Sequence, residues 1–244
     1  IDRAAEIFGR LAGRPGLHLR GVATHIGSQL KTLDPLEAAY KRVGELVAEL
    51  RAAGHTITHV DLGGGLGVPY RQGETVSTAA EFGAMVKRVT AGWDVTLMFE
   101  PGRFICGNAG VLVTEVIWVK PASGNPYVIV DAAMNDLARP ALYDAYEDFE
   151  AVEPTGEKFV ANIAGPVCET GDTFAMGREI DVMKSGDLAV FRTAGAYGAT
   201  MASTYNSRAL VPEVLVSGDK FAIVADRIQP ETSMGAERVP EWAR

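Results

Sequence analysis

Five residues near the middle of the chain, Phe99-Glu100-Pro101-Gly102-Arg103, decide how the rest of it is interpreted. They close the run Val95–Phe99, which is rich in residues that favour strands. The end of this apolar strand is therefore followed by a carboxylate, a rigid proline, a glycine without a side chain and a guanidinium. Core packing does not require Glu100 and Arg103 at that point, whereas a ligand bound by both side chains does. A salt bridge between the two residues is the alternative interpretation.

Upstream of this strand, strands and helices alternate with short connections. The order predicts a parallel sheet with right-handed crossovers, in which functional loops gather at the carboxyl ends of the strands. Each predicted strand runs into a polar or glycine-rich cluster, so the sequence predicts a site at this edge of the sheet. The predicted strands are Leu17–Gly27, Thr58–Leu62 and Val95–Phe99.

Three helices are predicted in the same region from apolar spacing and from the residues at the helix ends. The second begins with Asp34 as its N-cap, Pro35 at the first helical position and Glu37 completing a capping box. The third begins with a capping box formed by Thr78 and Glu81. The apolar faces consist of Ile1, Ala5, Phe8, Leu11 and Ala12 in the first helix, of Leu36, Tyr40, Val43, Val47 and Leu50 in the second, and of Phe82, Met85, Val86 and Val89 in the third.

Beyond about residue 110 the pattern changes to short β-like runs separated by Gly, Pro and Asp turns. Only short helices fit between these runs, so the pattern predicts an antiparallel β domain of sandwich or barrel type. The runs are Val111–Val119, Tyr127–Val130, Phe159–Ile163, Leu188–Phe191, Glu213–Val216 and Phe221–Val224.

Composition narrows the function classes. With 244 residues, 47% hydrophobic and 22% charged, the chain has the composition of a globular protein with a substantial core. Its net charge of −8 argues against binding to the nucleic-acid backbone. No apolar run approaches the roughly 18 residues of a membrane span, and the histidine spacing indicates no metal site. The two cysteines, Cys106 and Cys168, do not suggest a disulfide framework, so we expect a reducing, cytoplasmic setting.

Two strand ends carry candidate binding groups in addition to Glu100 and Arg103. Three glycines, Gly63-Gly64-Gly65, could let backbone N–H groups approach an anion, although such a run is also typical of a flexible loop. His25 could stack on a planar ligand or be a structural histidine, and Ser28 could donate a hydrogen bond to a phosphate.

The predicted β domain contains three further candidates. Arg139 and Tyr143 are four residues apart and would share a face of a helical turn. Cys168 adjoins the carboxylate of Glu169 in a turn-rich loop; it could be an acid or a nucleophile, or a small buried apolar group. Tyr197 lies among small residues that would let a ligand approach closely.

The order of these motifs decides among the alternatives. The series HIGSQ, DLGGGLG, EPGR, RPALYDAY, GPVCETGD and AGAYG resembles the diaminopimelate decarboxylases of the ornithine/diaminopimelate/arginine decarboxylase family. These are alanine-racemase-like, fold type III pyridoxal-phosphate enzymes. The likeness runs from Ile1 to Arg244, and CETGD and AGAYG resemble the diaminopimelate branch more than the ornithine or arginine branch.

The resemblance implies pyridoxal 5'-phosphate as the cofactor. His25 would pack against the cofactor ring, and Ser28 would lie near its phosphate. Glu100 would pair with the pyridine nitrogen and keep the ring protonated, so that the ring accepts the electrons released when carbon dioxide leaves. The other implied cofactor contacts are Gly63, Gly64, Gly65, Gly102, Arg103 and Tyr197.

The implied reaction converts meso-diaminopimelate to L-lysine and carbon dioxide. Cys168 would be the proton donor and would reach into the neighbouring subunit's site, which implies a homodimer with shared active sites. Two arginines and one glutamate would suit the amino-carboxylate at the non-reacting end of the substrate. The implied substrate-binding residues are Arg103, Arg139, Tyr143, Glu169 and Tyr197.

The resemblance also implies a domain organisation. Residues 1–109 would be the last strands and helices of a parallel (β/α)8 barrel that binds the cofactor, and residues 110–244 a C-terminal β-sandwich or β-barrel domain. The family's Schiff-base lysine lies upstream of HIGSQ, and no lysine of this sequence has that context. We therefore expect the C-terminal part of a decarboxylase, inactive by itself.

Two other functions compete with this hypothesis. One is a decarboxylase of a related amino acid or polyamine precursor. The presence of both Arg139 and Glu169 disfavours it, because an amine-only distal end has no carboxylate for a second arginine. The other is a non-catalytic binding protein with a decarboxylase-like fold. The joint presence of Glu100, Arg103, Cys168 and Tyr197 argues against a binding protein.

Overall fold

The computed structural model describes residues 3–243, and the chain divides into two compact units, Ile1–Gly107 and Asn108–Arg244. The division falls two residues before the boundary expected from the sequence. Ile1, which we predicted to lie in the first helix, is outside the described residues.

Unit 1 contains a three-stranded parallel sheet, which confirms the predicted strand–helix alternation. The strands are β1 (Gly21–Ala23), β2 (His59–Asp61) and β3 (Thr96–Met98), in the order β1-β2-β3. Asp61 pairs with Ala23 on one side and with Met98 on the other, so the three strands end in register. The loops that follow them therefore leave the same edge of the sheet.

Helices pack against this sheet with the apolar faces that the sequence predicts. Leu36, Tyr40 and Leu50 of the second helix are almost fully buried beside Val60 of the central strand. The helices of unit 1 are α1 (Ala4–Leu11), α2 (Asp34–Ala52), α3 (Ala79–Val89) and α4 (Gly102–Cys106).

One predicted helix start is confirmed and the other is wrong. Thr78 and Glu81 form both hydrogen bonds of the capping box before α3. At α2 the backbone of Leu33 is already helical, so Asp34 is the first helical residue and its side chain makes no capping bond. Glu37, predicted to complete a capping box, instead accepts hydrogen bonds from both terminal nitrogens of Arg88 at 2.8 and 2.7 Å.

Unit 2 is a six-stranded sheet with the order β6-β9-β4-β5-β7-β8, and its two edge strands contact each other, so the sheet is nearly closed. A separate hairpin follows it in the chain. The strands are β4 (Leu112–Lys120), β5 (Tyr127–Val130), β6 (Phe149–Ala151), β7 (Lys158–Ala164), β8 (Thr173–Asp181) and β9 (Leu188–Phe191), with β10 (Glu213–Ser217) and β11 (Lys220–Ala225) in the hairpin.

The prediction of a purely antiparallel domain is wrong at one pair, because β5 and β7 are parallel. Parallel neighbours need a long crossover, and residues 131–157 supply it with a short helix and the strand β6. The sequence analysis missed β6, which has only three residues, and β8, whose Gly177 adopts a positive φ of 58° in the middle of the strand. The helices are short, as predicted: α5 (Arg139–Tyr143), α6 (Gly198–Met201) and α7 (Pro230–Met234).

Across residues 3–243, no helix has both the length and the apolar character that crossing a membrane requires.

Candidate functional site

The predicted site residues of unit 1 all follow the ends of β1, β2 and β3, and we call them the strand-end cluster. Its members are His25, Ser28, Gly63, Gly64, Gly65, Glu100, Gly102 and Arg103.

The three glycines of this cluster are required by the close approach of neighbouring backbones. A Cβ at Gly64 would overlap the carbonyl oxygen of Glu100, and a Cβ at Gly63 would overlap that of Thr24. Gly63 and Gly65 also have positive φ values of 68° and 102°, which favour glycine. The glycines therefore let the strand ends meet side by side, whether or not an anion binds there.

Two of the glycine amides already have partners within the unit. The Gly63 N–H donates to the Asp61 carboxylate at 2.8 Å, and the Gly64 N–H donates to Nδ1 of His25 at 3.4 Å. His25 and Gly64 are thus brought together as the sequence order suggests. Asp61, which was not among the predicted site residues, orders the loop; its only signal was its position two residues before Gly63.

Arg103 is held by two hydroxyl groups. Its Nε and Nη2 atoms donate to Ser28 Oγ at 3.3 and 3.2 Å, and Nη1 donates to the hydroxyl of Tyr70. The guanidinium carbon also lies 5.7 Å from the centre of the Tyr70 ring. Two predicted residues, Ser28 and Arg103, are therefore in contact. No sequence pattern pointed to Tyr70.

Glu100 and Gly102 present exposed groups at the end of β3. The Glu100 amide donates to the carbonyl of Gly63 at 2.9 Å, which fixes the backbone, while its side chain is exposed. Nothing lies within 4 Å of the position that a Cβ on Gly102 would take. The start of α4 therefore leaves room for a group to contact the backbone.

Unit 2 contains a second group, which we call the loop cluster: residues 131–136, 165–172 and 203–208. Buried Asp172 joins the first two loops, because its carboxylate accepts from the amides of Met134 and Val167, both at 2.7 Å. A Cβ at Gly165 would overlap this carboxylate, so glycine is required there as well. Burial raises the pKa of Asp172.

The third loop is tied to the first by buried polar side chains. The amide nitrogen of Asn135 donates to the Ser203 carbonyl at 3.1 Å and to Asp136 at 3.0 Å. Arg208 donates to the carbonyl of Asp131 at 2.6 Å and lies 3.5 Å from Asp136, whose pKa is raised by burial. Three loops that are distant in sequence are therefore held as one assembly.

Cys168 and Glu169 lie on the exposed rim of this assembly. The Cys168 thiol is free and exposed, which excludes the interpretation as a small buried group. Glu169 accepts from its own loop, at the Gly171 amide (3.3 Å), and from the hydroxyl of Tyr205 at 3.1 Å. No sequence motif pointed to Tyr205, which lies 36 residues from Glu169.

Arg139 and Tyr143 begin and end α5 but differ in environment. Arg139 is only 12% exposed and donates to Glu147, which is 2% exposed, so the two form a buried ion pair. Tyr143 is 67% exposed. Glu147 was missed by the sequence analysis, which treated Arg139 as a ligand for substrate alone.

Tyr197 is exposed and precedes α6 with a positive φ of 71°. This conformation is uncommon for a residue with a bulky side chain and costs about 1 kcal/mol or more. Strained backbone of this kind is concentrated at functional sites.

Comparison with known proteins identifies the family to which these two groups of residues belong. Residues 30–195 match the family model described as "Pyridoxal-dependent decarboxylase, C-terminal sheet domain". The chain belongs to this family. The family model therefore covers most of the strand-end cluster and, in the loop cluster, all of the first two loops.

Individual members of the pyridoxal-dependent decarboxylase family are similar over nearly the whole chain. Diaminopimelate decarboxylase of Zymomonas mobilis is 50% identical over 242 residues, which are 99% of this chain and 58% of that protein. The crystal structure of diaminopimelate decarboxylase from M. jannaschii in complex with L-lysine matches with a TM-score of 0.94 and 32% identity, over 99% of this chain and 57% of that one. That of Helicobacter pylori complexed with L-lysine matches with a TM-score of 0.88 and 35% identity, over 95% and 57%.

The chain thus spans less than three fifths of the length of these relatives. Lysine/ornithine decarboxylase of Vibrio vulnificus matches with a TM-score of 0.76 at 24% identity and shares the fold.

Proposed function

We propose that the full-length protein containing this chain decarboxylates meso-diaminopimelate to L-lysine and carbon dioxide with pyridoxal 5'-phosphate. The observation that carries the proposal is the 50% identity to a diaminopimelate decarboxylase across 99% of the chain. L-Lysine, the product of this reaction, is bound in two of the solved relatives. The lysine/ornithine decarboxylase is only 24% identical to the chain, so the likeness to it supports the fold and not the substrate.

In this proposal unit 1 is the last part of a (β/α)8 barrel. Its three parallel strands end in register, as barrel strands do where they present functional loops. Unit 2 is then the C-terminal β domain of the same enzyme, and its nearly closed sheet agrees with the sheet domain in the family's description.

The strand-end cluster fits a phosphorylated cofactor. Ser28 Oγ and the Arg103 guanidinium are in contact and would both donate to a phosphate, and the backbone beside Gly102 is open. Because the amides of Gly63 and Gly64 donate to Asp61 and His25, the glycine run supports the phosphate site chiefly by its shape.

Pyridoxal phosphate, when bound, supplies an electron sink for the bond between the substrate carbon and its carboxylate. Glu100 would hold a proton on the pyridine nitrogen with its exposed carboxylate, and His25 would support the ring. The His25 ring is itself held by the Gly64 amide, which restrains its rotation.

The substrate would be held through its charged ends. Arg103, Arg139, Tyr143 and Tyr197 would bind its polar groups, and Glu169 would accept from the distal ammonium. Arg139 supports this role because the buried Glu147 fixes its guanidinium, and a fixed guanidinium orients a carboxylate with less loss of entropy.

Cys168 would donate the proton from Sγ to the carbon that has lost carbon dioxide. Its exposed position on a loop fixed by Asp172 suits transfer to a group outside its own unit. In this proposal the recipient is the site of a second copy, so the enzyme is a homodimer with shared active sites, and it works in the cytoplasm.

The test is an assay of the full-length protein with pyridoxal phosphate. We expect release of carbon dioxide and L-lysine from meso-diaminopimelate and little reaction of L-ornithine or L-arginine. Cys168→Ala should lower kcat about 100-fold or more, the usual contribution of a positioned general acid.

Cys106→Ser is the matched control, since Cys106 is also a free and exposed thiol but has no role in the proposal. Preferential turnover of L-ornithine or L-arginine would overturn the substrate assignment. Equal loss of activity in the two cysteine variants would overturn the role of Cys168, and binding of the amino acid without turnover would favour a non-catalytic protein.

A further inference from the structure

We propose that Tyr205 is a positioning residue that orients the carboxylate of Glu169 toward the distal ammonium of the substrate. This inference rests on the proposed function, in which Glu169 binds that ammonium. Its basis is the hydrogen bond of 3.1 Å from the Tyr205 hydroxyl to Oε2 of Glu169.

Glu169 is exposed, so its orientation depends on the donors that hold it. The Gly171 amide donates to Oε1 at 3.3 Å, and Tyr205 donates to Oε2. Each oxygen therefore has one donor and keeps further lone pairs for a cation. A carboxylate held at both oxygens loses little side-chain entropy when the ammonium arrives.

The two residues after Tyr205 have an uncommon backbone conformation. Asn206 and Ser207 both have positive φ values, 60° and 55°. Asparagine tolerates this conformation, but for Ser207 it costs on the order of 1 kcal/mol, and such strain persists only where the surroundings enforce it. The strain indicates that the position of this turn matters.

The surrounding contacts do enforce this geometry. Before Tyr205, the Ser203 amide donates to the Asn135 carbonyl at 2.9 Å, and the Asn135 side chain returns a hydrogen bond to the Ser203 carbonyl. After Tyr205, Arg208 donates to the carbonyl of Asp131 at 2.6 Å. The turn is thus fastened on both sides to the same loop, which leaves the tyrosine in one place.

Electrostatics agrees with this arrangement. The hydrogen bond to Glu169 and then the charge of Glu169 raise the pKa of Tyr205, with a smaller contribution from burial. The raised pKa keeps the hydroxyl protonated, and therefore a donor, to a higher pH than in an ordinary tyrosine.

The first test is steady-state kinetics of the full-length enzyme on meso-diaminopimelate. Tyr205→Phe removes one hydroxyl, and we expect KM to rise about tenfold while kcat changes less than about twofold, the pattern of lost substrate binding. The matched control is Tyr146→Phe, which removes a hydroxyl that donates to a different carboxylate, Asp148, at 3.2 Å. Its KM should stay within about twofold of the original value.

The second variant asks whether Tyr205 acts through Glu169. In Glu169→Gln, KM should already be raised, and adding Tyr205→Phe should change it little further, because both substitutions remove the same interaction. A KM that rises in the double variant by the product of the two single effects would overturn the proposal. An unchanged KM in Tyr205→Phe would do so as well.

A third measurement keeps this inference separate from the proposed function. The ultraviolet titration of Tyr205 is obtained by subtracting the titration of a Tyr205→Phe variant from that of the same protein with Tyr205. The midpoint of this difference titration should move to lower pH when both proteins also carry Glu169→Gln. This result together with no turnover of diaminopimelate would mean that the contact exists but the proposed function is wrong. Turnover without any movement of the titration would mean that the function holds but Tyr205 does not act on Glu169.

Discussion

The two units hold their candidate residues by different physical means. In unit 1 the strand-end cluster is ordered by backbone contact, since carbonyl oxygens of Thr24 and Glu100 occupy the space that side chains at Gly63 and Gly64 would need. In unit 2 the loop cluster is ordered by buried polar side chains. Leaving tyrosines aside, the eight buried polar or charged residues among residues 3–243 all belong to unit 2.

This difference determines which changes each cluster tolerates. A cluster ordered by backbone contact is limited by shape, so Gly63 and Gly64 should not accept an added side-chain atom. A cluster ordered by buried carboxylates and amides is limited by hydrogen-bonding capacity, so it should reject isosteric changes that remove an acceptor. The two units should therefore respond differently to an added methyl group, to the loss of a buried charge and to acid.

The largest effect is expected from Gly64→Ala in unit 1. The added methyl group would overlap the Glu100 carbonyl oxygen, a backbone atom that already accepts from the Gly102 amide at 2.9 Å. Overpacking usually costs about 1–3 kcal/mol, and we expect about 4 kcal/mol here because two strand ends must separate. Urea unfolding of the full-length protein, followed by hydrogen exchange in residues 20–100, measures it.

Gly83→Ala is the control for this substitution. Gly83 lies in α3, and nothing lies within 4 Å of the position of its added Cβ. There the change should stabilise the protein by about 0.5–1 kcal/mol through helix propensity. If both alanine variants were equally stable, backbone contact would not be what orders the strand-end cluster.

Sequence reasoning succeeded where the order of elements decides the structure. The strand–helix alternation before Arg103 predicts the parallel sheet, and the position of Glu100 after a strand predicts that it lies at the same sheet edge as the glycine run. Both follow from one-dimensional patterns, because parallel strands joined by helices present their carboxyl ends together.

It failed where side chains distant in sequence meet. Tyr205 contacts Glu169 from 36 residues away, and Asp172 contacts the Met134 amide from 38 residues away. Glu147 is only eight residues from Arg139, but the loop that joins them has no periodicity. The strand β8 was missed because a glycine with positive φ interrupts its pattern. The backbone-ordered cluster is therefore largely visible in the sequence, and the side-chain-ordered one is not.

The second largest effect is expected from Glu147→Gln in unit 2. This change keeps the shape but removes the charge that faces Arg139, in a pair that is 2% and 12% exposed. Removing one partner of a buried ion pair leaves the other charge uncompensated, and we expect a loss of about 3 kcal/mol. Thermal or urea unfolding of the full-length protein measures the change.

Glu150→Gln provides the comparison in the same region. Glu150 pairs with Arg192 at 2.7 Å, but both side chains are substantially exposed, so the loss should be less than about 1 kcal/mol. Equal losses in the two variants would mean that burial of charge does not distinguish the Arg139 pair, and the contrast between the two units would lose its main support.

The smallest effect is a difference in how the two units respond to acid. In unit 1, Arg88 and then Lys41 lower the pKa of Glu37 from 4.5 to about 2. The folded state then binds fewer protons than the unfolded state, so this contribution is complete above about pH 4.5 and is lost as the pH falls toward 2. The pKa values of Glu74 and Glu81, in the same unit, are also lowered, by Lys31 and by the Thr78 amide.

In unit 2 the sign is opposite for Asp136 and Asp172, whose pKa values are raised by burial. Their folded forms bind more protons, so their contribution is complete below the usual pKa of 3.8 and declines as the pH rises through the raised values. On acidification from about pH 5 to about pH 2.5, α2 and α3 should lose protection before the loops around Asp136 and Asp172 do. Hydrogen exchange, corrected for the intrinsic exchange rate at each pH, measures the protection of both regions in one experiment. Glu37→Gln should remove most of the pH dependence of protection in unit 1. A parallel loss of protection in the two regions would contradict the opposite signs of the pKa shifts of Glu37 and of the two aspartates.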